Sequence, residues 1–492
     1  MRRLPLSAVV LVSAVMLASS QAPLGIAPLA WIALVPFLIV LMRRDVRDRD
    51  AMRLGLLFGF LLHAATLHWF LLLDPTSEFA RPWFLIPSYL ALATWLALPW
   101  SLVAFLVVRS RERLGAAALF WLPALIPWTE WLQAQGPLAF PWVRLGATQV
   151  GLLPLAQLAS VVGVLALSAW VALVNVQLAL LCVAAQRSRA LLLLALLAAL
   201  ALPGARRAQK LASAWDAAAV EGSALRVALV QPDVELTVKW TMRDYGLQLL
   251  EGLTHAAAPS RPDLVVWPET AVTCDILQTP EVFERLGSLS RVTPLLCGFP
   301  SARRDARYAN SAALIRDGTL LGRYGKEKLL PLGERLPRVL MQPGRSGSNF
   351  VATAASRPLE MAPRTRLGVL VCWESAFSSL ARERARQGAD LLVNVVNDGW
   401  FGRAVALQLA AQARLRAVET GLPLLRCANN GFSFVCGPSA EVRGVAAFRS
   451  RGVVEATLPP SCATAYRRCG DAPLLAACAL LLVALAVRTG SR

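Results

Sequence analysis

Histidine is nearly missing from this chain: 492 residues contain three, His63, His68 and His255. A nucleophile paired with an imidazole therefore has little to draw on, and a histidine-based metal site lacks ligands. His63 and His68 share one apolar segment, and His255 lies in the polar stretch THAAAPS, where a surface position is the plain expectation. There is no CxxC pair and no Walker-type glycine loop, so zinc-ribbon and P-loop chemistry have no footing. Acidic residues are also few, 31 against 50 Lys and Arg, for a net charge of +19. No basic stripe with interleaved aromatics accompanies that charge, so no nucleic-acid partner is expected.

What is present is apolar sequence. The chain is 56% hydrophobic, and its mean hydropathy is +0.52, too high for a soluble enzyme of this length. Nearly charge-free runs at 5–20, 25–42, 54–73, 83–108, 115–132, 161–184, 189–203 and 472–487 predict about eight membrane spans. The run Gly151–Leu158 is a re-entrant or interfacial candidate. Arg2 and Arg3 before the first run imitate a signal peptide, but no small-residue cleavage site follows, so a retained span is expected. Arginines at 43, 44, 47, 49 and 53, at 109, 111 and 113, at 187 and 189, and at 488 and 492 make alternate connections basic. By the positive-inside tendency both termini are cytoplasmic and the long segment 206–471 lies outside. The expected organisation is thus a multi-pass α-helical domain (1–205, seven helices), an extracytoplasmic α/β domain (206–471), and a last span with its tail (472–492). Much of the positive charge then faces anionic lipid.

Within 220–460, ALRVALVQ, PDLVVWPE, PLLCGFP, YANSAALI, LGVLVCWE and ADLLVNVVND read as strands, and Arg403–Gly421 as a helix. LLRCANNGFSFVCGP reads as strand, Asn430-Gly431 turn, strand. About 250 residues suffice for one layered α/β domain with a full core. In such folds functional groups gather where strands end, and Glu269, Cys372 and Asp398 all stand at such places.

The stretch LGVLVCWESAF (Leu367–Phe377) stops a buried strand at a cysteine beside a carboxylate. Cys372 is a nucleophile, half of a disulfide, or an ordinary buried thiol. With imidazole scarce, carboxylate and ammonium remain as its partners. Glu269 closes VVWPE at a rigid strand end, where a water-exposed cap is the bland alternative. Lys326, Lys328 and Glu334 share the loop YGKEKLLPLGERLP, and residue type alone does not choose between the two lysines. A Glu–Lys–Cys set is chemically sufficient: the ammonium lowers the thiol pKa and later faces an oxyanion, while the carboxylate takes the proton.

These motifs carry a resemblance. VVWPETA (Val265–Ala271), YGKEKLLPLGE (Tyr324–Glu334), LVCWESAF (Leu370–Phe377) and NVVNDGWFG (Asn394–Gly402) resemble the carbon–nitrogen hydrolase (nitrilase) superfamily, whose members place a Glu–Lys–Cys triad on an α-β-β-α sandwich. VQPDVELTVKW (Val230–Trp240), WTEW (Trp128–Trp131), FPW (Phe140–Trp142) and Gly163–Ala179 extend the likeness over almost the whole chain, to the apolipoprotein N-acyltransferase family. The resemblance implies Glu269 as base, Lys326 as catalytic lysine and Cys372 as nucleophile, because the family lysine stands eight residues before the glutamate that is here Glu334. It implies support from Glu334, Glu374 and Trp373, and a lipid pocket or gate from Trp240, Trp400 and Phe401.

The implied reaction moves an acyl chain from a membrane phospholipid through a Cys372 thioester to the α-amine of a diacylglyceryl-cysteine apolipoprotein. It needs no cofactor or metal, and the enzyme is expected as a monomer. Trp373, Leu332, Gln133 and the stretch Arg403–Leu409 depart from the family pattern and alter the lining or the approach of substrate. Rival readings are a membrane-tethered amidase with water as second nucleophile, a transporter built on His63, His68, Glu130 and Asn175, and a non-enzymatic assembly factor. Of the other cysteines, Cys462 and Cys469 are close enough in sequence to pair in an oxidising compartment.

Overall fold

The computed structural model describes residues 5–73, 82–183, 187–222, 224–303, 307–331, 334, 350–362 and 365–490. The chain forms two compact units. One contains the helices before Arg207 and the last helix, Ala472–Gly490; the other is Ala208–Arg468.

The first unit corrects the expectation of eight spans. Among the described residues, four helical runs are long and apolar enough to cross a membrane: Trp83–Leu132, Val164–Val183, Ala190–Val220 and Ala472–Gly490. The physical reasons differ by segment. The helix Leu6–Ser20 has 15 residues, which at 1.5 Å each falls short of a hydrocarbon core of about 30 Å. The run 25–42 is broken into a 3-10 turn, Ala27–Trp31, and a short helix, Val35–Leu41. The run 54–73 sits on a helix, Asp48–Thr66, that spends its first turns on Asp48, Arg49, Asp50 and Arg53. The fourth and fifth runs fuse into one helical stretch, since Arg109–Arg113 continue the helix Pro82–Leu114. Gly151–Leu158 contributes to a shorter apolar helix, Leu153–Val162.

Broken helices in an apolar setting need partners for their backbone groups, and two polar side chains supply them here. Asn175 Nδ2 donates to the Ala30 carbonyl at 2.7 Å, and its Oδ1 accepts the Leu34 N–H at 2.9 Å. Glu130 accepts the Leu145 N–H at 2.8 Å and the Ser168 hydroxyl at 2.6 Å. Both residues therefore have a structural use that requires no transport path.

The second unit is an α-β-β-α sandwich. Its strands are β1 (Arg226–Gln231), β2 (Leu264–Val266), β3 (Leu295–Ala302), β4 (Tyr308–Arg316), β5 (Thr319–Gly325), β6 (Leu359–Ala362), β7 (Thr365–Val371), β8 (Leu391–Val396), β9 (Leu424–Ala428), β10 (Ser433–Cys436), β11 (Val442–Ala446) and β12 (Gly452–Thr457). They form two six-stranded sheets, ordered β12-β1-β2-β3-β4-β5 and β11-β10-β9-β8-β7-β6. The centre of each is parallel, β1-β2-β3 in one and β7-β8-β9 in the other. That explains why LVV, LGVLV and LLVNVV read as unbroken apolar runs: both faces of these strands are covered. Helices Arg243–Ala257 and Pro280–Ser290 place Leu247, Leu250, Val282 and Leu286 against the outer face of the first sheet. Between the sheets, the Cys427 thiol on β9 points at the carbonyls of Val230 and Val266, at 3.4 and 3.2 Å.

Candidate active site

Three strand ends converge. Glu269 follows β2, Lys326 follows β5 on the same sheet, and Cys372 follows β7 on the opposite sheet. Each is buried. Proline at 268 ends β2 by removing a donor, and the chain turns through Thr270 at φ +45°. Gly298 on β3 makes room for that turn, since a Cβ there would lie 2.5 Å from the Pro268 carbonyl oxygen and 2.8 Å from Glu269 Cα.

The Glu269 carboxylate accepts Asn310 Nδ2 at 2.6 Å on Oε1 and the Asn397 N–H at 2.8 Å on Oε2, and Oε1 lies 3.5 Å from Lys326 Nζ. The ammonium is tied more closely to Glu334 Oε1, at 2.8 Å. Glu334 in turn accepts the Leu330 N–H at 2.9 Å, which fixes the carboxylate within its own loop. Burial works against the charge of Lys326, but the Glu334, Cys372 and Glu269 charges outweigh it and hold the ammonium above its ordinary value. Lys326 is thus a permanent cation between two carboxylates.

Cys372 occupies the left-handed region at φ +56°, a conformation that costs a side-chain-bearing residue about 1–3 kcal/mol and that the surroundings must impose. The 3-10 turn Cys372–Ala376 caps β7, and Asn394 Nδ2 holds the Cys372 carbonyl at 3.0 Å. Burial and then the charge of Glu269 push the Cys372 thiol well up, with Lys326 opposing. The Cys372 sulfur thus stands between a cation that favours its thiolate and a carboxylate that favours its thiol. Cys297 and Cys436 are pushed up to about 12 by burial and lack the Glu–Lys set that stands beside Cys372.

Glu374 underlies the site. Its Oε2 accepts the Val371 N–H at 2.7 Å and the Tyr324 hydroxyl at 2.8 Å, and its Oε1 accepts the N–H groups of Glu327 and Lys328 at 2.7 and 2.9 Å. It pins the backbone beside Cys372 to the backbone beside Lys326. Burial pushes it up to about 7 against those donors and the Lys326 charge. Trp373 turns away: its indole N–H donates to the Lys328 carbonyl at 2.6 Å, and its ring packs edge-on against Phe377 at 4.9 Å. Lys328 differs from its neighbour, with its ammonium over the Phe377 ring, 5.6 Å from the centroid.

Asp398, after β8, forms a fully buried pair with Arg426 of β9 at 3.0 Å, against Gly431, where a Cβ would lie 1.6 Å from Asp398 Oδ2. Of the expected lining aromatics, Trp240 is about half exposed on the helix Leu236–Thr241, while Trp400 and Phe401 are half-buried on the turn after β8. His255 is exposed at the end of the helix Arg243–Ala257. The departures Gln133, Trp373 and Arg403–Leu409 lie on helices or turns, and Leu332 lies outside the described residues. No disulfide joins Cys462 to Cys469. No cluster of metal-ligating residues occurs among the described residues.

Residue type alone passed over Asn310 and Arg426, although each carries a signal: a polar side chain inside an otherwise apolar strand, in YANSAALI and LLRCA. Buried groups of that kind need a built-in partner, and here the partners are Glu269 and Asp398.

The comparisons with known proteins cover both units. The model of the apolipoprotein N-acyltransferase N-terminal domain matches residues 13–177, and that of carbon-nitrogen hydrolase matches residues 226–468. A protein of Geobacter metallireducens named apolipoprotein N-acyltransferase is 35% identical over 459 residues, covering 88% of this chain and 85% of that one. The chain belongs to the apolipoprotein N-acyltransferase family. A second apolipoprotein N-acyltransferase, from Chromobacterium violaceum, is 30% identical over 505 residues and covers 98% of this chain and 94% of its own. Among solved structures, a point mutant of an amidase of the nitrilase superfamily from Nesterenkonia AN1 aligns at a TM-score of 0.42 and 20% identity, covering 51% of this chain and 95% of that one. As a member of the apolipoprotein N-acyltransferase family, the chain is an enzyme of acyl transfer, and its long apolar helices make it membrane-associated.

Proposed function

We propose that the chain transfers an acyl chain from a membrane phospholipid to the α-amine of an S-diacylglyceryl cysteine at the N-terminus of apolipoproteins, by way of a thioester on Cys372. The observation that carries this reading is the Lys326 ammonium held between Glu334 and Glu269 at 2.8 and 3.5 Å, its charge coupled to Cys372. In the first step Glu269 takes the thiol proton as Cys372 Sγ attacks the ester carbonyl carbon. The C–S bond forms, the C–O bond breaks, and the proton passes from Glu269 to the departing lysophospholipid oxygen. In the second step the amine nitrogen attacks the thioester, the C–N bond forms as the C–S bond breaks, and Glu269 relays the amine proton to the sulfur. Lys326 faces the oxyanion in both steps.

Tethering donor, acceptor and site to one leaflet supplies proximity, and scarce water spares the thioester. The proposed location is the bacterial inner membrane with the catalytic unit on the periplasmic side. Support comes from membership of the apolipoprotein N-acyltransferase family and from the long apolar helices Ala190–Val220 and Ala472–Gly490 that bracket the catalytic unit in sequence.

The test uses purified protein and phospholipid with a labelled acyl chain. Intact mass is expected to show one acyl group on Cys372 with donor alone. A diacylglyceryl-cysteine peptide should then discharge it to an amide, and acetylating that peptide's α-amine beforehand should stop the discharge. An adduct that empties equally fast without peptide, releasing fatty acid, would make the protein a tethered hydrolase.

A further inference from the structure

Lys239 is a buried lysine outside the triad, on the short helix Leu236–Thr241 that also carries Trp240. Its ammonium donates to the backbone carbonyl of Glu269 at 2.9 Å and to Thr270 Oγ1 at 3.0 Å. Those acceptors belong to the turn that aims the base, and Thr270 holds the left-handed conformation there. A strained turn keeps its shape only if its neighbours over-determine it. Gly298 presses on this turn from β3, and Lys239 grips it from the other element packed against it.

We propose that Lys239 is a positioning residue for the proposed general base: it fixes the Glu269–Thr270 turn and adds a second cation beside Glu269. Three features make it more than a core lysine. A long ammonium-bearing side chain is rarely buried without a partner, and here both acceptors lie on the residue at issue and the next one. Burial draws Lys239 down to about 8, with the Glu269 charge opposing, so its charge is felt at Glu269. The cleft it lines, with Arg243, Pro268, Thr273 and Asn429, opens on the same turn. Asn429 reaches the base from the far side, through Asn397 Oδ1 at 3.2 Å, whose backbone N–H holds Glu269 Oε2. The charged or titratable groups around the base are Lys239, Lys326, Glu334 and Cys372, with Asp398 acting on Cys372 and Arg243 lining the cleft.

This inference rests on the proposed acyl-thioester chemistry, and its test separates the two. The rate of Cys372 acylation by labelled phospholipid would be followed by intact mass across pH for the full-length wild type, Lys239→Met, Lys239→Arg and Thr270→Val. A wild type that forms no adduct would sink the thioester reading itself. With wild-type acylation in hand, Lys239→Met should lower the maximal rate roughly 10-fold or more, as a misplaced catalytic group does, with the donor KM little changed. Its acid limb should also move to higher pH, because a carboxylate that loses a nearby cation is easier to protonate. Lys239→Arg should restore the position of the limb, and Thr270→Val, with one acceptor gone, should slow acylation without moving it. A Lys239→Met enzyme with wild-type rate and limb, or one slowed with the limb unmoved, would overturn the assignment. If Lys239→Met cannot be recovered folded, wild-type rates in both Lys239→Arg and Thr270→Val would overturn it equally.

Discussion

Glu374 Oε1 accepts the backbone N–H of Glu327 at 2.7 Å, so the residue two beyond Cys372 holds the residue next to Lys326. The carboxylate is fully buried and its other oxygen holds Val371. Its position, up at about 7, has a sign for stability. A carboxylate raised by folding binds a proton that the unfolded chain, at about 4.3, has already lost. Its favourable contribution is complete below the unfolded value and is lost as pH rises through about 7. The thermal unfolding midpoint in detergent should therefore drift down between about pH 5 and 8 by roughly a few degrees, and Glu374→Gln should flatten that drift. Glu374→Gln should also slow acylation, because an amide group cannot accept all four donors.

Lys326 and Lys328 should separate cleanly. Lys326→Met leaves Glu269 and Glu334 facing each other in a buried site and removes the oxyanion's cation, so acylation should fall by about 100-fold or more. Lys328→Met removes a cation resting on the Phe377 ring and should stay within about 3-fold. Acyl-enzyme formation rates decide the matter. Equal damage in two folded variants would shift the chemistry to Lys328.

Cys372→Ala should give no acyl adduct at any time point by intact mass. Cys372→Ser should be severely impaired as well, because a buried hydroxyl is harder to deprotonate than a buried thiol. Both proteins should remain in the membrane fraction. Adduct persisting in Cys372→Ala would move the nucleophile elsewhere.

Gly298→Ala would drive a methyl group to 2.5 Å from the Pro268 carbonyl oxygen and 2.6 Å from the Thr270 amide nitrogen. Overpacking of this kind costs about 1–3 kcal/mol, and a displaced base costs rate. We expect a lower melting midpoint together with acylation slowed by roughly 10–100-fold. Unchanged kinetics would mean that the Glu269 turn tolerates movement.

A reporter active only outside the cytoplasm should work when fused near residue 300 and fail when fused near residue 47. The reverse pattern would overturn the proposed orientation.

The catalytic unit was largely legible because its strands announce themselves: apolar runs ending in Glu269, Cys372 and Asp398 are what doubly covered parallel strands look like. Spacing suggested Lys326 over Lys328 only through resemblance; burial separates them physically. The membrane unit was harder. Hydropathy counts apolar residues but does not register that a run such as 25–42 can break, because the side chain that satisfies the break, Asn175, lies far along the chain. Nor could it see Arg109–Arg113 continuing a helix instead of ending one. Asn397 escaped because its partner, the Glu269 carboxylate, is distant in sequence, and Lys239 was legible only as part of VQPDVELTVKW, its acceptors on Glu269 and Thr270 being brought to it by the fold.

Glu269 and Lys326 come from one sheet and Cys372 from the other, and the edge of the first sheet is closed by β12, next to β1. A chain still being synthesised holds all three residues of the proposed triad by Cys372 yet lacks the last strand, which ends at Thr457. Closure of that sheet is thus a late event in the synthesis of the molecule. The sheet that carries Glu269 and Lys326 is whole only when the polypeptide has been made as far as Thr457, well beyond Cys372.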